Sequence, residues 1–215
     1  MSVSLPNGST IGIATAYASP IAVSAISNAS SAVATTATNA YTVGDFVEVT
    51  SGWSALNGRV VRVLSATATT VTLEGIDTSS TLKYPAGGGI GSLRKITGFT
   101  QLTQILTSAG AGGEQQFVQY QFLESDNESQ LPSNKTALSM TFEIADDVTQ
   151  PGYLIAKAAN DDRLLRALKV TLKNGGVICH NAYVTVNDMP TLTQNEIMAL
   201  TVTASMVCVP VRYAA

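Results

Sequence analysis

Hydrophobic and polar residues alternate one for one along Leu138-Ser139-Met140-Thr141-Phe142-Glu143-Ile144. A period of two turns Leu138, Met140, Phe142 and Ile144 toward a core and predicts a half-buried β-strand. Residues 116–123 carry a weaker version, with Val118, Tyr120 and Phe122 on one face. The alternation is longest over residues 197–209, where Met198, Leu200, Val202, Ala204, Met206 and Cys208 fall in line. Thirteen residues exceed the usual strand of about five or six. Such a strand is expected to bend across two sheets or to reach beyond its own domain and pair with a neighbour. Residues 166–172 and 177–186 are strand-like and flank Lys173-Asn174-Gly175-Gly176, a hairpin signal because Asn and Gly accept positive φ.

The strand-like runs nearer the N-terminus are shorter. Residues 45–50, 59–64 and 70–75 are rich in Val, Thr and Leu, and are separated by Gly52, by Asn57-Gly58 and by a loop at 65–69. That spacing predicts a small barrel or sandwich. Upstream, residues 11–16 and 21–26 read as short strands, with a mobile tail as the alternative. The run Tyr84-Pro85-Ala86-Gly87-Gly88-Gly89-Ile90-Gly91 breaks regular structure. It divides the chain into an N-terminal arm and small β-module, residues 1–91, and a second β-domain, residues 92–215. One helix is predicted, over 146–161. Asp146, Asp147 or Thr149 would cap it, Pro151 fits its first turn, and Leu154, Ile155, Ala158 and Ala159 would form its apolar stripe. The fold class is mainly β, a sandwich or barrel with one flanking helix.

Composition changes this picture in one respect. Hydrophobic residues make up 45% of the chain and charged ones only 13%, against about 25% in an average soluble protein. A weakly charged surface meets another protein without desolvating many ions. The first charged residue is Asp45. The net charge of −3 and the absence of a Lys/Arg cluster argue against tight DNA or RNA binding. No membrane span is expected, and residues 1–10 lack the basic and apolar segments of a signal peptide. Cys179 and Cys208 are too few for a disulfide framework and read as reduced, buried residues. The glycosylation-type matches at Asn127 and Asn134 are then fortuitous.

Candidate chemistry is sparse. His180 is the single histidine, and its neighbour Cys179 would point to the opposite face of a strand, so the two cannot form a dyad. Two cysteines and one histidine lack zinc-site spacing. Capping and the helix dipole account for Asp146-Asp147, loop solvation for Asp161-Asp162, and Gly87-Gly88-Gly89 runs into a strand rather than a helix. No catalytic residue, metal ligand or cofactor is expected. Residues 124–147 carry a net −5, and residues 124–136 form a polar connection containing Pro132. Thirteen residues are long for a hairpin loop; such a loop is either functional or simply solvated.

An ordered series in the C-terminal part resembles the major tail (tail tube) proteins of long-tailed bacteriophages. It comprises Ile96-Thr97-Gly98-Phe99, Gly112-Gly113-Glu114-Gln115-Gln116, Leu131-Pro132, and Phe142-Glu143-Ile144-Ala145-Asp146-Asp147. It continues through Leu168-Lys169-Val170-Thr171-Leu172-Lys173-Asn174-Gly175, Ala182-Tyr183-Val184, Pro190-Thr191-Leu192 and Asn195-Glu196. Gly44-Asp45-Phe46-Val47, Leu56-Asn57-Gly58-Arg59, residues 71–77 and residues 84–88 are similar to a small β-module that recurs in phage virion proteins, with Thr70-Val71 where that module has Thr-Phe.

The resemblance implies a non-catalytic virion protein, made in the host bacterial cytoplasm. Its copies would form rings, usually hexameric, that stack into a β-lined tube through which DNA passes without specific binding. Its expected partners are itself and the tape-measure, tail-tip and terminator proteins, and the N-terminal module would decorate the outside of the tube. Glu124, Asp126, Glu128 and Glu143 become candidates for an acidic lumen. Gln130, Leu131, Pro132, Asn134 and Lys135, with the uncharged N-terminus, become candidates for contacts between rings. The alternatives are a single-ring tail terminator and a carbohydrate-binding or adhesin-like module. For the latter, Trp53 would be the sugar platform unless it packs in a core.

Overall fold

The computed structural model describes residues 7–215. Strand β1 (Thr10–Tyr17) leads into β2 (Ile21–Ile26), β3 (Val33–Thr36), β4 (Phe46–Ser51), β5 (Val60–Ala66) and β6 (Thr70–Leu73). The long β7 (Gly91–Leu102) is followed by β8 (Ile105–Ala111), β9 (Gln115–Tyr120), β10 (Ser129–Lys135) and β11 (Ser139–Ala145). Helix α1 (Pro151–Asp162) precedes β12 (Leu165–Thr171), β13 (Val177–Thr191), β14 (Ala199–Met206) and β15 (Val211–Tyr213). The fold is mainly β, as expected.

Six strands close into a small barrel in the order β2-β3-β6-β5-β4-β7, and β7 returns to β2 through Ile21 opposite Leu93 and Val23 opposite Gly91. Closure leaves these strands no free edge. Their inward positions are filled by Val47, Val49, Val61, Val63, Val71, Leu73 and Leu93, β-branched or compact side chains that suit a narrow interior. Trp53 is buried here; its Nε1–H donates to the Pro85 carbonyl at 2.8 Å, and its ring packs edge-on against Tyr84. The indole is therefore a core residue, not a sugar platform.

Besides closing on β2, β7 serves two further ladders. Its first half, Gly91 to Lys95, pairs with β4, and its second half, Ile96 to Leu102, pairs with β1. From there an open sheet continues in the order β7-β1-β12-β13-β14-β11-β8. α1 lies across β13, β7 and β1, and Ile13, Leu102, Phe142, Ala156, Leu168, Leu200 and Val202 form the core beneath it. β15 returns along the start of β13 and carries Val211 and Tyr213 into the barrel core.

Polar ties join barrel and sheet. Asn181 Nδ2 donates to Glu48 Oε1 at 2.8 Å and to the Gly58 carbonyl at 2.9 Å. Arg94 pairs with the same glutamate. The Arg62 backbone N–H donates to the Tyr213 hydroxyl at 2.7 Å.

The strands expected over 11–16 and 21–26 are present as β1 and β2. Five other expectations need correction. The helix begins at Pro151 rather than 146, because Asp147 ties down a turn ahead of it: the carboxylate accepts the Thr149 N–H and hydroxyl and the Gln150 side-chain amide. Its buried face is Gly152, Ala156 and Ala159, while Leu154 and Ala158 are exposed. A Cβ at Gly152 would lie 2.6 Å from the Gln101 carbonyl oxygen, so close approach of helix to sheet selects small residues over large apolar ones.

The strand expected over 197–209 spans only the eight residues of β14, and the longest strand is β13, with fifteen. The polar run Asn187-Asp188 hides β13 from a hydrophobic pattern. The strand expected over 116–123 ends at Tyr120, and the supposed loop 124–136 contains β10. Pro132 breaks no central ladder, because β9 and β10 form a separate two-stranded sheet. Residues 1–6, part of the uncharged segment expected to reach between rings, lie outside the described residues.

Candidate assembly surfaces

The β9–β10 hairpin leaves the main sheet through Gly112 and Gly113, at φ +85° and +81°. A Cβ on Gly112 would sit 1.9 Å from the Ala137 carbonyl oxygen, so only glycine makes this elbow. Val118 stands opposite Leu131 on one face of the hairpin, and Phe117 opposite Pro132 on the other. All four are exposed. Phe122 and Leu123 extend the apolar surface into the turn, Leu123 without any cover. A two-stranded ribbon with apolar residues on both faces is marginal by itself in water, and exposed apolar area of this kind marks contact with a partner.

Glu124, Asp126 and Glu128 lie in the turn at the hairpin tip, exposed, and none is in an ion pair among the described residues. Internal bonds order the turn: Gln121 Nε2 donates to the Ser125 carbonyl at 2.7 Å, and Ser125 N–H to the Phe122 carbonyl at 3.0 Å. Gln130, Leu131, Pro132, Asn134 and Lys135 all stand on β10.

Glu143 is elsewhere. It points from β11 to the side opposite buried Phe142 and Ile144, where it accepts a 2.8 Å hydrogen bond from the Thr107 hydroxyl. The four acidic candidates therefore fall into two groups, three on the hairpin and one on the sheet. Around Glu143 the ladder registers build a polar face in three rows. Thr107, Glu143, Thr201 and Asn187 form one row; Ala109, Thr141, Thr203 and Thr185 the next; Ala111, Ser139, Ser205 and Tyr183 the third. This face was not singled out from the sequence. Its signal was present as the polar half of the alternation in β11 and β14.

A second feature missed from the sequence is β8, whose seven residues of Ile, Leu, Thr, Ser, Ala and Gly show no clear period. Among the described residues it pairs with β11 on one side only, and its outer edge has no strand partner. Six of its seven residues are exposed.

Of the chemically reactive residues Cys179 and His180 are packed away, whereas Cys208, expected to be buried, is half-exposed. Cys179 and His180 are both buried and adjacent on β13, with Cys179 turned to the barrel side. Burial pushes the Cys179 thiol up to about 12 and the His180 imidazole down to about 4. Neither ring nitrogen of His180 has a hydrogen-bond partner among the described residues. Among the described residues no three His, Cys, Asp or Glu side chains are placed to hold a metal ion, and no helix is long and apolar enough to cross a membrane.

Comparison with known proteins adds the following. Residues 51–215 match the family described as phage tail tube protein, TTP. No curated protein matches the chain. Among solved structures, one similar chain comes from the 6-fold symmetrised cryo-EM structure of the anti-feeding prophage (AFP) baseplate. The two are 10% identical, with a TM-score of 0.39, over 55% of this chain and 86% of that one.

Proposed function

The chain belongs to the phage tail tube protein family, a family of structural tail components, and we propose that its copies close into stacked six-membered rings that form the tube through which phage DNA reaches the host. The observation that carries the ring is the outer edge of β8, which no strand among the described residues covers. A seven-residue edge exposes backbone donors and acceptors that invite strand pairing, and a long unprotected edge is rare in a protein meant to stay alone. Pairing it with a neighbouring copy continues the sheet from subunit to subunit, and closing the ring removes every such edge.

In this arrangement the hydroxyl-rich face around Glu143 lines the lumen. It presents DNA with neutral polar groups and a carboxylate, so the backbone is neither bound nor strongly repelled. The barrel stands on the outside, the β9–β10 hairpin carries contacts between copies, and tape-measure, tail-tip and terminator proteins meet the finished tube. Synthesis takes place in the host bacterial cytoplasm, and the protein ends as part of the virion.

The test is negative-stain electron microscopy of the purified protein at rising concentration. Hollow tubes of stacked rings are expected. Single rings that never stack would assign a terminator role, and a protein that stays monomeric at high concentration with tail-tip components added would overturn the reading.

A further inference from the structure

Beside the root of the β9–β10 hairpin, between barrel and sheet, lies a cleft of about 480 Å³. Three cations line it, Arg59, Lys83 and Lys135, and no carboxylate does. None of the three is in an ion pair among the described residues. The rest of its wall is largely apolar, with Leu138, Met206 and Val209 contributing. A cleft that gathers three uncompensated positive charges over an apolar wall is built for an occupant with acidic and apolar groups side by side.

The chain itself carries a segment of that description. The hairpin tip holds Glu124, Asp126 and Glu128 with no cation among residues 121–128, and presents Phe122 and Leu123 uncovered next to them. Its acids are as unpaired as the cleft's cations. Lys135 stands at the other end of the same hairpin, so a tip cannot fold back on its own cleft.

We infer that the acidic tip of one copy docks in the basic cleft of the next, Leu123 seating on the apolar wall while Glu124, Asp126 and Glu128 meet Arg59, Lys83 and Lys135. This rests on the proposed tube and names the contact that propagates it. Tip and cleft are different surfaces, so the contact is head-to-tail, the type that makes rings or continuing filaments rather than closed two-fold dimers. Charge complementarity fixes register and suppresses wrong pairings, because a tip meets only repulsion from another tip.

Charge reversal in pairs tests it. One variant carries Glu124→Lys, Asp126→Lys and Glu128→Lys; the other carries Arg59→Glu, Lys83→Glu and Lys135→Glu. Each alone is expected to lose pelletable assemblies while keeping the wild-type circular dichroism spectrum. A one-to-one mixture is expected to regain them, since each reversed surface then meets its complement. A second readout does not depend on the cleft variant folding. Leu123→Cys, treated with a short bismaleimide, is expected to link to Cys208 in the cleft of another copy and to lose that product when Cys208→Ser is added.

Tubes that form unchanged from the tip variant, or a cross-link that survives Cys208→Ser, would overturn the docking while leaving the tube intact. A cleft variant that assembles normally but no longer retains added DNA would assign the cleft to a polyanion instead. Wild-type protein that never assembles would remove both this contact and the tube.

Discussion

His180 shows what one residue adds. It sits on β13 with 1% of its surface exposed, and burial holds its imidazole down to about 4, against an ordinary value of 6.5. Between those values the unfolded chain binds a proton that the folded chain refuses, so stability falls as pH drops from about 6.5 to about 4 and the loss is complete below that window. The full effect is on the order of 3 kcal/mol. The thermal midpoint of the wild type is expected to drop more steeply between pH 7 and pH 4 than that of His180→Leu; parallel curves would mean that water reaches the ring. At this scale the sequence was readable where a pattern repeats. Phe142 and Ile144 are buried as their alternation requires, and Cys179 and His180 face opposite ways because neighbours on a strand must. It was silent on how deeply His180 lies, since that depends on strands distant in sequence.

Secondary elements were readable when their burial is one-sided and local. β11, the β12–β13 hairpin at Lys173-Asn174-Gly175-Gly176, and the barrel strands β2, β4, β5 and β6 follow from period and turn chemistry, while β3 was not foreseen. α1 was placed in the right region with a stripe right at Ala159 and Ile155 but wrong at Leu154 and Ala158, because close contact with the sheet selects Gly152, Ala156 and Ala159. β8, on whose edge the proposed ring rests, was missed altogether. In an antiparallel ladder, successive residues turn their N–H groups to opposite edges. Of Ser108→Pro and Ala109→Pro, one therefore removes an outward donor and the other a bond to β11. The first is expected to fold as a stable monomer that no longer forms rings, and the second to lower the thermal midpoint. Electron microscopy and thermal melts of the pair separate the two, and rings formed by both folded variants would exclude β8 from the interface.

At the scale of the whole molecule, long-range pairing decides what no window of sequence contains: the return of β7 to β2, the insertion of β1 between β7 and β12, and the separation of Glu143 from the acids of the hairpin tip. That separation changes how the lumen must be tested. Exchanging all four acids for lysine would mix a change in contacts between copies with a change in the channel wall. Glu143 alone stands on the polar sheet face, beside Thr107, Thr141, Thr201 and Thr203, and every copy in a tube would repeat it. Duplex DNA carries one negative charge per about 1.7 Å of axis, and 6–10 phosphate contacts make affinity fall about 10³-fold or more between 50 and 200 mM salt. Glu143→Lys tubes are therefore expected to retain DNA at 50 mM salt and release it at 200 mM, with DNA delivery by phage carrying the variant slowed to match. Glu143→Gln tubes, neutral at this position, are expected to let DNA pass as the wild type does, because the other residues of this face carry no charge. Retention that is equal for Lys and Gln, or absent from both, would place Glu143 outside the channel and turn the polar face toward the exterior.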